Sequence, residues 1–234
     1  MSLRRILAAG LAIVGCGMAG TLRAQGPGAG MQGMQAALGA QMKKNKAELR
    51  KYSWKQRVEL QFKGEDKSTK LDQLHYDASG ELVRAPLSAP PPAQEKRRRI
   101  GGRIKAKKVE ELKDYIQRLM LRVQRYTDFS GGDPAALMDK AMIGKGQGAN
   151  EGMIVVHISN FVITGDSVDI SIDPATQKMR KIVIATMLDD DPINVNADFQ
   201  DLPNGPTYMA NATVDSPKKE LGIRMQNFDY VLLR

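Results

Sequence analysis

The C-terminal part of the chain is a series of short segments with alternating apolar residues, and this pattern constrains the fold more than any other feature. Turn residues, mainly Asp, Gly, Asn and Pro, separate these segments. Because connections of only a few residues join antiparallel neighbours, the series predicts an antiparallel sheet. The six predicted strands are 153–164, 167–172, 178–188, 192–202, 207–214 and 220–232.

A helix and three more strands are predicted before this series. A stretch rich in Ala, Lys and Leu and free of Pro predicts a helix at about 34–52. Alternation of apolar with charged residues follows, which is typical of strands with one buried face. These strands, at 57–62, 69–76 and 81–87, bring the total to about nine.

The segment 107–126 carries the strongest helical signal in the chain. Its apolar residues recur at spacings of three and four and form one stripe: Val109, Leu112, Ile116, Leu119, Val123 and Tyr126. Helices at the start and in the middle of a series of antiparallel strands indicate an α+β fold, a curved sheet with helices packed on one face. Since neither group of strands would bury itself and this helix alone, we predict a single domain over 34–234 with a Pro-rich, basic insert at 89–108.

The N-terminus predicts export. Arg4 and Arg5 precede the apolar run 6–14, which is too short to cross a bilayer core of about 30 Å. This combination is typical of a secretory signal peptide. We therefore predict a signal peptide at 1–24, a Gly-rich tether at 25–33, and a periplasmic or secreted protein.

Three processing sites are open. Cleavage after Ala24 would release a protein that begins at Gln25, and cleavage after Ala19 is an alternative. Residues 13–16 instead fit a relaxed bacterial lipobox, in which Cys16 is acylated and anchors the protein to a membrane. Cys16 is the only cysteine, so the form cleaved after Ala24 has no disulfide and depends on packing for its stability. The mass of the mature protein distinguishes these forms.

Catalytic and metal-binding patterns are sparse. The two histidines, His75 and His157, lie far apart in predicted strands, where an isolated histidine is usually structural. The sequence contains no nucleophile-elbow, phosphate-loop or zinc-binding motif. The acidic run 189–191 lacks the spacing of a calcium loop and is typical of a turn. We predict no enzyme activity, no cofactor and no metal.

A basic segment follows the prolines near residue 90. Outside the cytoplasm it would contact an anionic membrane surface or an envelope protein, at about 1 kcal/mol per basic residue near an anionic membrane. Nucleic acid is not expected, because the protein is predicted to be exported and no aromatic residues are interleaved with the charges. The alternative is a solvated loop that leads into the helix. The candidate docking residues are Lys96, Arg97, Arg98, Arg99, Arg103 and Lys105.

Two predicted strands are apolar on both faces. The segments 153–156 and 182–187 lack the alternation of their neighbours, which predicts that both of their faces are covered. One interpretation places a helix on one side and an apolar ligand on the other, with Val155 and Ile184 among the contacts. The alternative is that both strands lie in the centre of a filled core.

Two short motifs carry a resemblance to a known family. They are the strand and turn at 168–176 (VDISIDPAT) and the segment 202–208 (LPNGPTY) ahead of a final pair of strands. In both, the chain resembles the LolA/RseB-like superfamily of periplasmic lipoprotein carriers, over roughly 35–232. The resemblance implies a half-barrel with helices on its concave face that holds acyl chains beneath a lid. The lid would be the helix 109–126, with Leu112, Ile116, Leu119 and Val123 facing the ligand.

These observations favour an exported, non-enzymatic binding protein. It would hold a lipid, an acyl chain or a lipoprotein between the sheet and the lid helix. The alternative is a cell-envelope interaction or sensor module with a closed core, in which the basic segment docks a partner.

Overall fold

The computed structural model describes residues 44–87, 102–127 and 141–233. The predicted signal peptide, Cys16, the tether, the start of the first helix and the basic residues Lys96–Arg99 lie outside the described residues. In chain order the elements are α1 (44–49), β1 (Tyr52–Phe62), β2 (Glu65–Tyr76), β3 (Leu82–Pro86), α2 (Gly102–Thr127), β4 (Ala141–Lys145), β5 (Ile154–Ser159), β6 (Ser167–Ile172), β7 (Met179–Leu188), β8 (Asp191–Asp201), β9 (Thr207–Ser216) and β10 (Leu221–Leu232).

The strands form one antiparallel sheet in the order β3-β2-β1-β10-β9-β8-β7-β6-β5-β4. Every neighbouring pair is also consecutive along the chain except β1 and β10, whose pairing joins the N-terminal strands to the C-terminal series. The sheet is curved and is not closed, because β3 and β4 remain at its two edges. The predicted antiparallel, sheet-dominated fold is confirmed, with ten strands in place of about nine.

The additional strand, β4, corrects the sequence analysis. No strand was predicted between residues 126 and 153, whereas residues Ala141–Lys145 pair with β5. A five-residue strand at a sheet edge has little propensity of its own, since its stability comes from the partner strand. That contribution cannot be seen in the local sequence.

The alternation predicted for the last strands is confirmed. In β8, Ile193, Val195 and Ala197 have no accessible surface, while Asn194 and Asp198, which alternate with them, are exposed. The apolar residues thus line one face of the sheet and the polar residues line the other.

The prediction that the strand around 182–187 is covered on both faces is wrong. Ile182 and Ile184 of β7 are fully buried, but Ala185 is exposed and Met187 is 40% exposed on the other face. The register places Ala185 beside Ser167 and Asn194. A few apolar side chains among polar neighbours are ordinary on a protein surface and do not require a cover.

α2 begins earlier than predicted, at Gly102 instead of residue 107. Positions 103 and 105 therefore belong to the helix, and the basic segment is not a loop throughout. α1 ends at residue 49, before the predicted boundary, because β1 already pairs with β10 from Tyr52.

α2 packs on the apolar face of the sheet. Six of its buried residues belong to the main core cluster together with residues of six strands, β1 and β6–β10. These helix residues are Tyr115, Ile116, Leu119, Met120, Val123 and Tyr126. A spacing of three and four residues places such side chains on one side of a helix, so a single stripe buries the helix.

No helix within the described parts of the chain has the length and apolar character required to cross a bilayer.

The packing of α2 predicts a large difference between two leucines of the same helix. Leu119 has no accessible surface, whereas Leu121 is 52% exposed. We expect Leu119→Ala to lower the free energy of unfolding by about 2–5 kcal/mol, because it leaves a cavity in the core. The matched control Leu121→Ala is expected to change it by about 0.5 kcal/mol or less. Urea unfolding measures both, and equal effects would contradict the observed helix orientation.

Candidate functional site between helix and sheet

The centre of the contact between α2 and the sheet is apolar and closely packed. Ile116, Leu119 and Val123 have no accessible surface, and Met120 is almost fully buried. These four residues are called the buried stripe below. Since a water-sized gap beside a side chain would leave part of its surface accessible, the side chains of helix and sheet fill the space between them. The structure is therefore a closed form of this contact.

A polar contact holds the N-terminal side of the stripe. The buried Tyr115 hydroxyl donates to Asp191 Oδ2 over 2.8 Å and lies 2.8 Å from Ser216 Oγ. Asp191 lies at the start of β8, and it also accepts hydrogen bonds from Ser216 Oγ and from the Lys218 amide at 3.0 Å. All polar atoms of this small buried network are thus paired, as a buried carboxylate requires.

Burial and hydrogen bonding shift the pKa values of Tyr115 and Asp191 in opposite directions. Burial, reinforced by the adjacent Asp191 carboxylate, raises the pKa of Tyr115 to about 12. Burial would also raise the pKa of Asp191, but the hydrogen bonds from Ser216, Tyr115 and Lys218 outweigh it and lower that pKa below its ordinary value. At neutral pH the phenol is the donor and the carboxylate the acceptor.

A second polar contact holds the C-terminal side. The Tyr126 hydroxyl donates to Asp166 and lies 2.6 Å from Thr186 Oγ1. The Asp166 carboxylate also accepts hydrogen bonds from three consecutive backbone amides, at residues 161–163. The Tyr126 ring stacks on Phe161 with centroids 5.9 Å apart. Because this tight loop begins at residue 160, β5 ends at Ser159 and not at the predicted residue 164.

The two tyrosine contacts lie at opposite ends of the buried stripe. Eleven residues separate Tyr115 from Tyr126, which corresponds to about 16 Å along a helix. Each tyrosine reaches a buried Asp and a hydroxyl on the sheet side of the interface. α2 is therefore held across the sheet by an apolar centre with a directional hydrogen-bonded contact at each end.

The structure brings together five of the six predicted ligand-contacting residues. Ile116, Leu119, Val123 and Ile184 are fully buried members of one cluster, and the half-buried Leu112 packs against it. Val155 lies apart from them, because it alternates with the buried Val156 and Ile158 and so points to the opposite face of β5.

The sequence analysis missed Tyr115, Asp166 and Asp191 as members of this site. Asp191 was interpreted as part of a turn, and Tyr126 was counted only as an apolar position. The available signal was a tyrosine on the apolar face of a helix, since a buried phenol requires a polar partner. The partners themselves, 76 and 40 residues further along the chain, depend on the sheet order.

A histidine network lies on the other face of the sheet. His157 Nδ1 is 2.6 Å from Asp169 Oδ1, and His157 Nε2 is 3.0 Å from Ser159 Oγ. A serine, a histidine and an aspartate that contact one another in this order are also found in hydrolases. Those enzymes additionally need hydrogen-bond donors, often backbone amides, that stabilise the oxyanion formed during the reaction. Here the four amides that follow Ser159 all donate to Asp166. The network therefore joins β5 to β6, and these four amides are already engaged with Asp166.

The acidic turn 189–191 does not form a metal site. Asp191 is engaged with Tyr115, and Asp189 forms an ion pair with Arg118 of α2. Within the described residues, no group of three or more His, Cys, Asp or Glu side chains is arranged to hold a metal ion.

The fold and the site define a class: an open antiparallel sheet whose apolar face is covered, in the part of the chain that the structure describes, by the amphipathic helix α2. No family model matches the chain, and no curated protein matches it either. Among solved structures, the chain is similar to the LolA superfamily protein NE2245 from Nitrosomonas europaea, with 9% identity, a TM-score of 0.37, and coverage of 82% of this chain and 93% of that one.

A second similar structure is a putative outer membrane lipoprotein-sorting protein domain from Vibrio parahaemolyticus. It is 12% identical, with a TM-score of 0.39 and coverage of 82% of this chain and 90% of that one. The first of these two structures bears the name of the superfamily that the sequence resembles.

The tyrosine contacts predict a specific loss of stability. Tyr115→Phe and Tyr126→Phe each remove one buried hydroxyl with its hydrogen bonds, and we expect each to lower the free energy of unfolding by about 1–3 kcal/mol, because a polar partner is left unpaired. Tyr208→Phe is the matched control, since its hydroxyl bonds to Gln200 at the exposed surface. Urea unfolding of the three variants checks the prediction, and a control as unstable as the others would contradict it.

The lowered pKa of Asp191 predicts a pH dependence with a defined sign. A carboxyl whose pKa is lower in the folded state stabilises the fold above its unfolded pKa of about 3.9, and this stabilisation is lost as the pH falls through the folded pKa. We therefore expect the unfolding free energy of Asp191→Asn to decline less between pH 5 and the acid limit than that of the parent protein. Unfolding measured along this pH series tests it, with exposed Asp198→Asn expected to follow the parent.

Proposed function

We propose that the protein is an exported, non-enzymatic binding protein that holds the apolar part of an amphiphile between α2 and the sheet. The observation that carries the proposal is the packing of the amphipathic helix α2 across the apolar face of an unclosed sheet. In this proposal α2 is a lid, and Leu112, Ile116, Leu119, Val123 and Ile184 contact the ligand when the lid is displaced.

The energy lost when α2 leaves the sheet is comparable to the energy gained when an acyl chain is buried, which supports exchange between a closed state and a ligand-bound open state. Exposing the four residues of the buried stripe costs about 6–12 kcal/mol, at roughly 1.5–3 kcal/mol for each large apolar side chain. Burying an acyl chain contributes about 0.8 kcal/mol per methylene, so a chain of ten methylenes supplies about 8 kcal/mol. A lipid tail therefore offsets much of the contact that α2 loses.

The basic segment before α2 would bring the lid to an anionic membrane surface. Its proposed docking residues run from Lys96 to Lys105, and positions 103 and 105 begin the lid helix itself. Contact of these charges with lipid head groups would place the ligand source beside the lid. Export by the predicted signal peptide, with Cys16 as a possible site of lipidation, would place the protein at the cell envelope.

One observation favours a second function. The buried stripe and Ile184 have almost no accessible surface, which suits a closed interaction or sensor module as well as a closed carrier. In that alternative the core never opens, and the basic segment docks an envelope protein.

Weakening the two tyrosine contacts distinguishes the functions. If α2 must leave the sheet, the double variant Tyr115→Phe/Tyr126→Phe opens more often. If the hydrogen bonds that are lost stabilise the closed state by about 2 kcal/mol, the open population rises about 30-fold. The association rate for a fluorescent fatty acid should rise by the same factor. Stopped-flow fluorescence measures this rate, with Leu121→Ala, a change at an exposed position of the same helix, expected to match the parent protein.

The proposal fails if neither the parent protein nor the double variant binds the fatty acid, and if mass spectrometry of the native protein finds no co-purified lipid. Capture of an envelope protein that depends on the basic segment would then support the closed module.

A further inference from the structure

A cluster of aromatic side chains lies beside the region covered by α2. The Trp54 ring stacks on Tyr230 at 5.5 Å with an angle of 10° between the planes, and it lies 5.6 Å from Tyr76. Tyr230 also contacts Tyr208 at 4.4 Å and Tyr52 at 6.4 Å. These five residues are called the aromatic patch.

The aromatic patch lies on the same face of the sheet as the lid. Trp54, Gln56 and Val58 alternate along β1 with their side chains buried, and Val58 belongs to the core cluster around α2. Trp54 itself does not belong to that cluster. Four residues of a strand span about 13 Å, a length that a medium acyl chain covers.

Arg84 of the edge strand β3 reaches this patch. β3 pairs Arg84 with Leu74, and β2 pairs Leu74 with Trp54, so the three side chains form one row on this face. The Arg84 side chain is only 13% exposed. The pKa of Tyr76 is raised by burial, and the nearby positive charges of Arg50 and Arg84 oppose that rise.

The Arg84 guanidinium uses only part of its hydrogen-bonding capacity. Nη1 donates to Gln56 Oε1 at 2.9 Å, and it forms an ion pair with Asp72 Oδ2 at 3.7 Å, which is beyond hydrogen-bond length. Nη2 is buried and has no hydrogen-bond partner among the described residues. A buried, charged donor without a partner is unfavourable, so an incoming acceptor at Nη2 would be favoured.

We infer that Arg84 Nη2 and the aromatic patch bind the anionic head of the amphiphile, a carboxylate or a phosphate monoester. A guanidinium presents planar paired donors that match these anions, and aromatic rings beside it provide an apolar wall for the first part of the tail. This inference rests on the proposed function, because it assigns the polar end of the same ligand whose tail lies beneath α2.

The chain contains its own reporter for this site. Trp54 is the only tryptophan, and it lies in the aromatic patch. Titrations of the mature protein with dodecanoate, dodecyl phosphate and neutral dodecyl maltoside, followed by Trp54 fluorescence and by calorimetry, give the three affinities below the micelle concentration. We expect the two anionic amphiphiles to bind about tenfold or more tightly than the neutral one, as one charged hydrogen bond predicts. Inorganic phosphate alone is expected to bind much more weakly.

The variants separate the charge from the fold. Arg84→Met should remove the preference for anionic amphiphiles while leaving the affinity for dodecyl maltoside within about twofold. Arg84→Met/Asp72→Asn, which leaves no unpaired charge behind, should behave in the same way if the single variant is unstable. Arg84→Lys should keep part of the preference, and Arg224→Met, an exposed cation on the opposite face, should keep all of it.

The outcomes distinguish this inference from the proposed function. If all three amphiphiles bind with equal affinity and Arg84→Met changes none of them, the head-group site is wrong and the binding protein stands. If inorganic phosphate binds as tightly as dodecyl phosphate, the site is one for a free anion and the inference is overturned. If no amphiphile binds, both proposals fail.

Discussion

An open antiparallel sheet with one apolar face depends on whatever covers that face. In this chain the cover over the central strands is α2, whose buried stripe packs against β1 and β6–β10. The sheet does not cover this face by closing on itself, because β3 and β4 remain at its two edges. Burial of apolar area provides the attraction but no direction. The two tyrosine contacts supply the direction, because a phenol buried against a carboxylate fixes both the position and the rotation of the helix.

The same arrangement explains how a closed core and a binding function are compatible. The interface is apolar in its centre, where a lipid tail has equivalent interactions to offer, and polar only at its two ends. Arg84 and the aromatic patch extend the same face of the sheet beyond α2 with different chemistry. An amphiphile has this polarity too, with an apolar tail and a compact anionic head. The proposed tail and head sites therefore follow one direction across the sheet.

Much of this fold could be predicted from the sequence, because its signals are local. The alternation in β8 and the stripe in α2 each depend only on the spacing of residues within a single strand or helix. β4 could not be predicted, since a short edge strand is stabilised by its partner and not by its own residues. The exposed face of β7 was misjudged for a related reason: its polar neighbours, Ser167 and Asn194, come from adjacent strands.

The candidate site was predictable in its apolar part and not in its polar part. The spacing of Ile116, Leu119 and Val123 already places them on one side of a helix. The pairing of Tyr115 with Asp191 and the unpaired nitrogen of Arg84 depend on contacts between residues far apart in sequence. Such contacts follow from sheet order and register, which a single sequence does not specify.

The central claim is that α2 leaves the sheet when an amphiphile binds. Spin labels at two exposed positions, Leu121→Cys on α2 and Asn211→Cys on β9, report this movement by pulsed electron–electron distance measurement in mature protein without Cys16. The account predicts one short distance in the free protein and a second, longer population that grows with added dodecanoate. An unchanged distance distribution at a dodecanoate concentration that saturates the Trp54 signal would contradict it.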